Sequence, residues 1–258
     1  MDIDQELKKH FIARLVENGR RIDGRKFDEV RELKVETNII DSKAEGSALV
    51  NLGGTEVLCG VKVIAGEPWS DQPDTGILMT GAELVPIASP EFEAGRPGED
   101  AIELARVVDR GIRESKMIDF EKLVIKSGEK VWMVCVDLHV LNHNGNLLDA
   151  SSMAAVAALK TTWLPKFEDG AVVREKSGDL PLKKDVVSCT YVKIGDSILF
   201  DPILDEEFGM DARLTVVTDG KEVNAMQKGG TGFFRPDEII NLVDTSMSNY
   251  KKTIKKLK

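Results

Sequence analysis

The stretch LDASSMAAVAAL (148–159) constrains the fold more than any other part of the chain. A helix over residues 151–164 is rich in alanine and apolar on most sides. A helix without a polar face has no side to give to water, so this one is buried. The segments around it read as the layers that cover it. SALVNLGGTEVLCGVKVIAG (47–66) is two apolar runs about Gly53-Gly54, the signature of a β-hairpin. KLVIKSGEKVWMVCVDLHVL (122–141) is a second strand–turn–strand.

Helices and loops fill the remainder. Residues 2–18 predict a first helix, with Ile3, Leu7, Ile12, Leu15 and Val16 at near-helical spacing and Gly19 as its stop. The basic, turn-rich RRIDGRKFDEVR (20–31) follows. Residues 66–99, rich in Gly, Pro and Asp, suit loops around a short strand near ELVPIA (83–88), and residues 99–116 return to a helix. The polar FEDGAVVREKSGDLPLKKD (167–185) places a boundary near residue 175. Strands are expected at 186–194, 197–201 and 213–227. The last helix starts at Pro236, where proline suits the first turn. Ile239, Val243, Met247, Tyr250, Ile254 and Leu257 form its stripe, and the cationic tail KKTIKKLK (251–258) suits the helix dipole. Strands precede helices in each half. That order predicts an α+β fold, mixed β-sheets packed with α-helices in two similar halves. The units expected are an N-terminal helix and basic turn (1–30), a core domain (31–175) and a C-terminal subdomain (176–258).

Composition narrows the function. The 258 residues can bury a substantial core, and 42% hydrophobic with 31% charged residues reads as soluble and globular. No apolar run reaches the roughly 18 residues of a membrane span. The charged N-terminus lacks the apolar core of a signal peptide, which predicts a cytoplasmic protein. Cys59, Cys135 and Cys189 each sit in an apolar strand-like run, in odd number and without C-x-x-C spacing. They read as buried reduced thiols, not as a disulfide framework or a zinc site. The net charge of −9 argues against gripping duplex DNA through a global field, and it leaves room for a local basic site.

Most candidate motifs have a bland counterpart. NLGGT (51–55) matches neither nucleotide-cradling pattern and reads as a turn. His139 and His143 stand at i and i+4, but at a strand end and without the glutamate of a zinc-protease motif. DPILDEEFGMD (201–211) gathers Asp201, Asp205, Glu206, Glu207 and Asp211, which could hold Mg²⁺ or form a solvated acidic loop. Small polar residues at the start of the alanine-rich helix could expose backbone N–H groups to an anion, or simply cap it through Asp149 or Ser151. No metal or cofactor is expected.

Taken in order, RRIDGR (20–25), ALVNLGGTEVLCGVK (48–62), ELARVVDRGIRES (103–115), VDLHVLNHNGNLLDASSMAAVAAL (136–159), DARLTVV (211–217) and MQKGG (226–230) resemble the RNase PH family. The long helix ahead of RRIDGR and the form KGGTG resemble the non-catalytic ring-subunit type of the archaeal exosome. The resemblance implies a phosphorolytic 3′→5′ exoribonuclease fold, in which phosphate attacks the terminal phosphodiester and releases nucleoside diphosphates. It implies a hexameric ring of three heterodimers with a catalytic RNase PH-like partner, RNA-binding cap proteins and a path for single-stranded RNA. It also implies two lost functions in this chain. Active members carry a phosphate-holding Arg in D-x-G-[TS]-R-x-A, where this chain reads DASSMAA, with Ser151 and Ser152 followed by Met153. A thioether cannot grip a phosphate as a guanidinium does. Active members also carry an acid where Arg213 stands, and Arg has no basicity near neutral pH.

Two other readings stay open on sequence. The chain could itself be an active phosphorolytic exoribonuclease using Asp211, two residues from Arg213, with Ser151 and Ser152. It could also be a metal-dependent hydrolase built on residues 201–211. One stripe supports the RNA reading. In RVVDRGIR (106–113), Arg106, Arg110 and Arg113 lie opposite an apolar face of Ala101, Leu104, Ala105, Val108 and Ile112. Expected pairs Glu103–Arg106 and Glu114–Arg110 would satisfy two of them, at about 0.3–0.5 kcal/mol each, and leave Arg113 without a partner. The family carries arginines at these helix positions near the RNA path.

Overall fold

The computed structural model describes residues 3–257, with side chains from Lys8 onward. The N-terminal half is a mixed sheet. Strands β1 (Leu33–Thr37), β2 (Gly46–Leu52), β3 (Thr55–Gly66), β4 (Ile77–Leu84), β5 (Val124–Lys126) and β6 (Lys130–Asn142) form it in the order β1-β2-β3-β6-β4, with β5 on β6. Only β4 and β6 run parallel. The hairpin turns at Gly53-Gly54 as the sequence reading expects, with Gly53 at φ 57°. α2 (Glu99–Glu114) lies between β4 and β5 in the chain and packs on β4.

α3 (Leu147–Thr161) is the centre of the molecule. It packs against β2, β3 and β6 on one side, against β9 (Val187–Ile194) of the second half on another, and against α2. Every residue from Leu148 to Leu159 is buried, which is why the helix carries no polar face. It begins four residues before the expected start. Asn146, in the left-handed conformation that Asn tolerates, is its N-cap and accepts the Asp149 N–H through its side chain. Asp149 and Ser151 are therefore inside the helix and cap nothing.

A two-stranded hairpin, β7 (Trp163–Glu168) and β8 (Ala171–Asp179), follows, and residue 175 falls within β8. The second sheet is antiparallel, in the order β10 (Ser197–Phe200), β9, β11 (Ala212–Thr218), β12 (Val223–Gly230). The single strand expected at 213–227 is thus two. Asp219 accepts the N–H groups of Lys221 and Glu222 and closes the turn between them. α4 (Leu204–Gly209) precedes β11. α5 (Pro236–Thr253) packs on β9 and β11. Its most buried residues are Leu242 and Ser246, so the expected stripe of Ile239, Val243, Met247 and Tyr250 lies half-buried along the contact. Lys258 of the tail lies outside the described residues.

α1 (Ile3–Glu17) docks on the far half of the chain. Ile12 and Val16 pack with Val192, Ile194 and Leu199 in a cluster of their own. Residue 2 and the side chains of Ile3 and Leu7 lie outside the described residues. Cys59 and Cys189 are buried thiols, and Cys135 is only half-buried. Among the described residues no helix is long and apolar enough to cross a membrane.

Candidate functional site

The apolar face of α2 is buried as its pattern requires. Ala101, Leu104, Ala105, Val108 and Ile112 are joined there by Val107 and Gly111. Gly111 allows a close approach to β11, since a Cβ there would sit 3.2 Å from Val217. The opposite face exposes Arg106, Arg110 and Arg113.

Neither expected pairing of these arginines forms. Arg113 is the one that is tied. Its Nε and Nη2 donate to the two oxygens of Asp109 at 2.9 Å each, and Nη2 also reaches the Leu78 carbonyl at 3.0 Å. The i, i+4 spacing of Asp109 and Arg113 is the signal for this pair in the sequence. Arg106 and Arg110 have no hydrogen bond or ion pair among the described residues. Glu103 turns away from Arg106 and binds Arg213 on β11 at 3.0 Å. Like charges at i and i+4 cost a helix about 0.2–0.5 kcal/mol, so this pair is held open against a small penalty.

Beside α2 lies a cavity of about 130 Å³, lined by Asp100, Glu103 and Leu104 of α2, His143, Leu147 and Leu148 at the start of α3, Glu207 of α4, and Arg213. Phe92, also in the lining, stacks on His143 at 5.3 Å. Burial pushes the His143 pKa below its ordinary value, and the Arg31 charge pushes it the same way. Burial also pushes Glu207 up to about 7, against the Asn146 N–H it accepts and the charges of Arg213 and Arg31. Arg213 uses Nη2 on Glu103, while its Nε is buried with no partner among the described residues.

Met153 is not in this cavity. It lines a separate one of about 50 Å³ with Leu33, Leu52, Phe200 and Lys252. Leu148, five residues and about 140° earlier on α3, is the residue that shares the cavity with Arg213. Met153 and Arg213, the two positions at which the chain departs from the active pattern, thus line different cavities. Ser152 accepts the Ser188 hydroxyl at 2.7 Å, and Ser151 Oγ is buried without a partner among the described residues. Both belong to the helix–sheet packing, and neither presents an open N–H to an anion. Nothing in the sequence groups His143, Leu148 and Glu207, which line the cavity together. Their sequence distance, 143 to 207, hides a proximity that only the docking of α4 on the α3 start creates.

The acidic run 201–211 is neither a metal cluster nor a solvated loop. Asp201 is fully buried under Arg31, Arg25 and Asn146, and Glu206 is buried on Arg21 at 2.6 Å. Asp205 pairs with Lys8. Asp211, expected to share a face with Arg213, accepts the Gly195 N–H at 2.8 Å at the β9–β10 turn instead. No three His, Cys, Asp or Glu side chains among the described residues are grouped to hold a metal ion. His139 faces Glu83 at 3.3 Å on the sheet surface.

A mixed sheet and an antiparallel sheet clamped on one buried helix, with a cavity where the halves meet, define an α+β fold of two packed sheets. The profile of the 3′ exoribonuclease (RNase PH) family matches residues 29–165 with its first domain and residues 186–249 with its second, and the chain belongs to that family. The exosome complex component Rrp42 of Methanocella arvoryzae is 51% identical over 245 residues, which cover 94% of this chain and 92% of that protein. A chain of the Archaeoglobus fulgidus exosome with RNA bound to the active site superposes with a TM-score of 0.92 at 46% identity, covering all of both chains. A chain of an archaeal exosome core superposes with a TM-score of 0.88 at 43% identity, covering 99% of this chain and 98% of that one.

Proposed function

We propose that this chain is the non-catalytic RNase PH-like subunit of an archaeal exosome ring, cytoplasmic and joined by RNA-binding cap proteins. It pairs with a catalytic RNase PH-like subunit, three heterodimers closing the hexamer, and helps build that partner's site for phosphate-dependent 3′→5′ RNA degradation. The identity of about half over nearly the full length of exosome components supports this assembly. The observation that carries the RNA contact is the pair Arg106 and Arg110. Two exposed guanidiniums stand one helical turn apart with no acidic partner among the described residues, in a chain of net charge −9. RNA phosphates are the anions that would satisfy them. Arg113, whose fork is filled by Asp109, supports the helix edge and leaves the contact to the other two.

The lining of the cavity supports inactivity of the lone chain. An incoming phosphate would meet Asp100, Glu103 and Glu207 around one arginine whose Nη2 is already engaged. Asp100 and the paired Glu103 oppose an anion there, and Arg213 is left with little charge to offer it. Incubated with single-stranded RNA, Mg²⁺ and phosphate, the isolated chain should release no nucleoside diphosphate. Mixed with the catalytic subunit it should give a heterohexamer by light scattering, and only then nucleoside diphosphates. Release by the isolated chain would assign the activity to it and end this part of the reading.

The RNA contact has its own test. In the assembled ring, Arg106→Ala with Arg110→Ala should flatten the log–log salt dependence of RNA binding by about 1.4. The same counterion term weakens binding about 15-fold near 0.15 M salt. Thermal stability should barely move. An unchanged slope and affinity with intact assembly would make the stripe a solvated face.

A further inference from the structure

Arg213 and Glu103 raise a question that the proposed RNA contact makes sharper. Glu103 stands three residues before Arg106 on α2, the spacing at which side chains on a helix meet. A carboxylate there is the natural partner of Arg106, and pairing would cancel the charge that RNA needs. It does not happen. Glu103 Oε1 accepts from Arg213 Nη2 at 3.0 Å, and Gln227 Nε2 approaches the same oxygen at 3.4 Å. The holders come from β11 and β12, outside the helix. Gly229 lies directly across from Arg213 in the β11–β12 register, and a Cβ there would come 3.2 Å from Nη2. The missing side chain leaves the guanidinium room to lie along the sheet toward α2. Arg213 is also the less exposed partner, at 18% against 39% for Glu103, so the sheet holds the helix residue and not the reverse.

We propose that Arg213 is a positioning residue for the RNA-binding face: it holds the Glu103 carboxylate on the edge of the second sheet and so leaves Arg106 uncompensated. The proposal rests on the reading that Arg106 contacts RNA. It gives the arginine that replaces an acid in this half of the fold a role in the chain's own activity. Arg213 touches no RNA in this account. It acts through Glu103, and Glu103 acts only when released.

The test uses the assembled ring and a labelled single-stranded RNA without added phosphate, with Kd read across a salt series. Arg106→Ala sets the size of one lost contact: a slope lower by about 0.7 and binding about fourfold weaker near 0.15 M salt. Arg213→Met should reproduce that loss, because Glu103 then turns to Arg106. Arg213→Met with Glu103→Gln should restore both slope and affinity, and Arg213→Lys, which keeps a cation, should hold most of them. A residue that only neutralises Glu207 or supports the strand would not be rescued by a change at Glu103. A loss that Glu103→Gln fails to restore, or no loss in Arg213→Met while Arg106→Ala binds weakly, would overturn the proposal and leave the RNA reading intact. No effect of Arg106→Ala would remove the RNA reading itself, and this proposal with it. If Arg213→Met does not assemble, Glu103→Gln in the otherwise native ring decides. A change in Kd below twofold is expected, and binding about fourfold tighter would show that Glu103 was already screening Arg106.

Discussion

Asp201→Ala should destabilise the folded chain by about 3–5 kcal/mol, the cost of leaving buried charges without their partner. For a chain of this size that is a fall in Tm of about 10 °C. Asp201 is fully buried and its carboxylate accepts five hydrogen bonds. Arg31 gives its backbone N–H at 2.8 Å, Nε at 3.0 Å and Nη2 at 2.7 Å, Arg25 gives Nη1 at 3.1 Å, and Asn146 gives Nδ2 at 2.7 Å. Burial alone would raise its pKa, but the Arg31 hydrogen bonds and charge, with Asn146, hold it below the ordinary value. Asp201 also sits at φ 51°, a conformation that Asp and Asn tolerate and Ala does not. Asp201→Asn keeps that backbone and one acceptor, so its loss should be smaller. Thermal melts of the two variants beside the native chain check both size and order. Equal, small shifts would mean that Arg31 and Arg25 find water when Asp201 is gone.

Glu207→Gln should stabilise the chain by about 3 kcal/mol at pH 8 and by almost nothing near pH 4. Burial raises Glu207 from the ordinary 4.5 to about 7. A carboxyl whose folded pKa is raised binds its proton more tightly in the folded state than in the unfolded one. Below pH 4.5 both states are protonated and nothing is lost. Between 4.5 and 7 the unfolded chain gives up its proton first, so stability falls as pH rises, and above 7 the loss is complete. Glutamine removes the titration and still accepts the Asn146 N–H, which reaches Glu207 at 2.9 Å. Denaturant melts from pH 4 to 8 should show the native curve falling away from that of Glu207→Gln across this window. Parallel curves would mean that water in the cavity solvates the carboxylate and cancels the effect of burial.

Both residues lie in DPILDEEFGMD, and the run shows where one-dimensional reading stops. Its charges are legible, yet their separate fates are not. Asp201 and Glu206 are taken by arginines 170 to 185 residues earlier in RRIDGRKFDEVR, Glu207 by the α3 cap, and Asp211 by the β9–β10 turn. A cluster in sequence is divided among partners from several parts of the chain, with Asn146 shared by Asp201 and Glu207, because the chain turns through α4 and sends successive side chains in different directions.

The sequence by itself determined what depends on local periodicity. The all-apolar LDASSMAAVAAL had to be buried, the Gly53-Gly54 hairpin had to turn, and the apolar face of α2 had to put its arginines on the far side. The order of these pieces was also enough to point to the family. Tertiary structure alone decided which charges remain available. Helical spacing paired Glu103 with Arg106 and left Arg113 over, but β11 brought Arg213 to Glu103, and Asp109 closed on Arg113. Tertiary structure likewise set Leu148 and not Met153 in the cavity with Arg213, since the two lie about 140° apart on α3 and face different neighbours. Pairing energies on one helix are a few tenths of a kcal/mol, so a partner delivered by another strand readily overrides them.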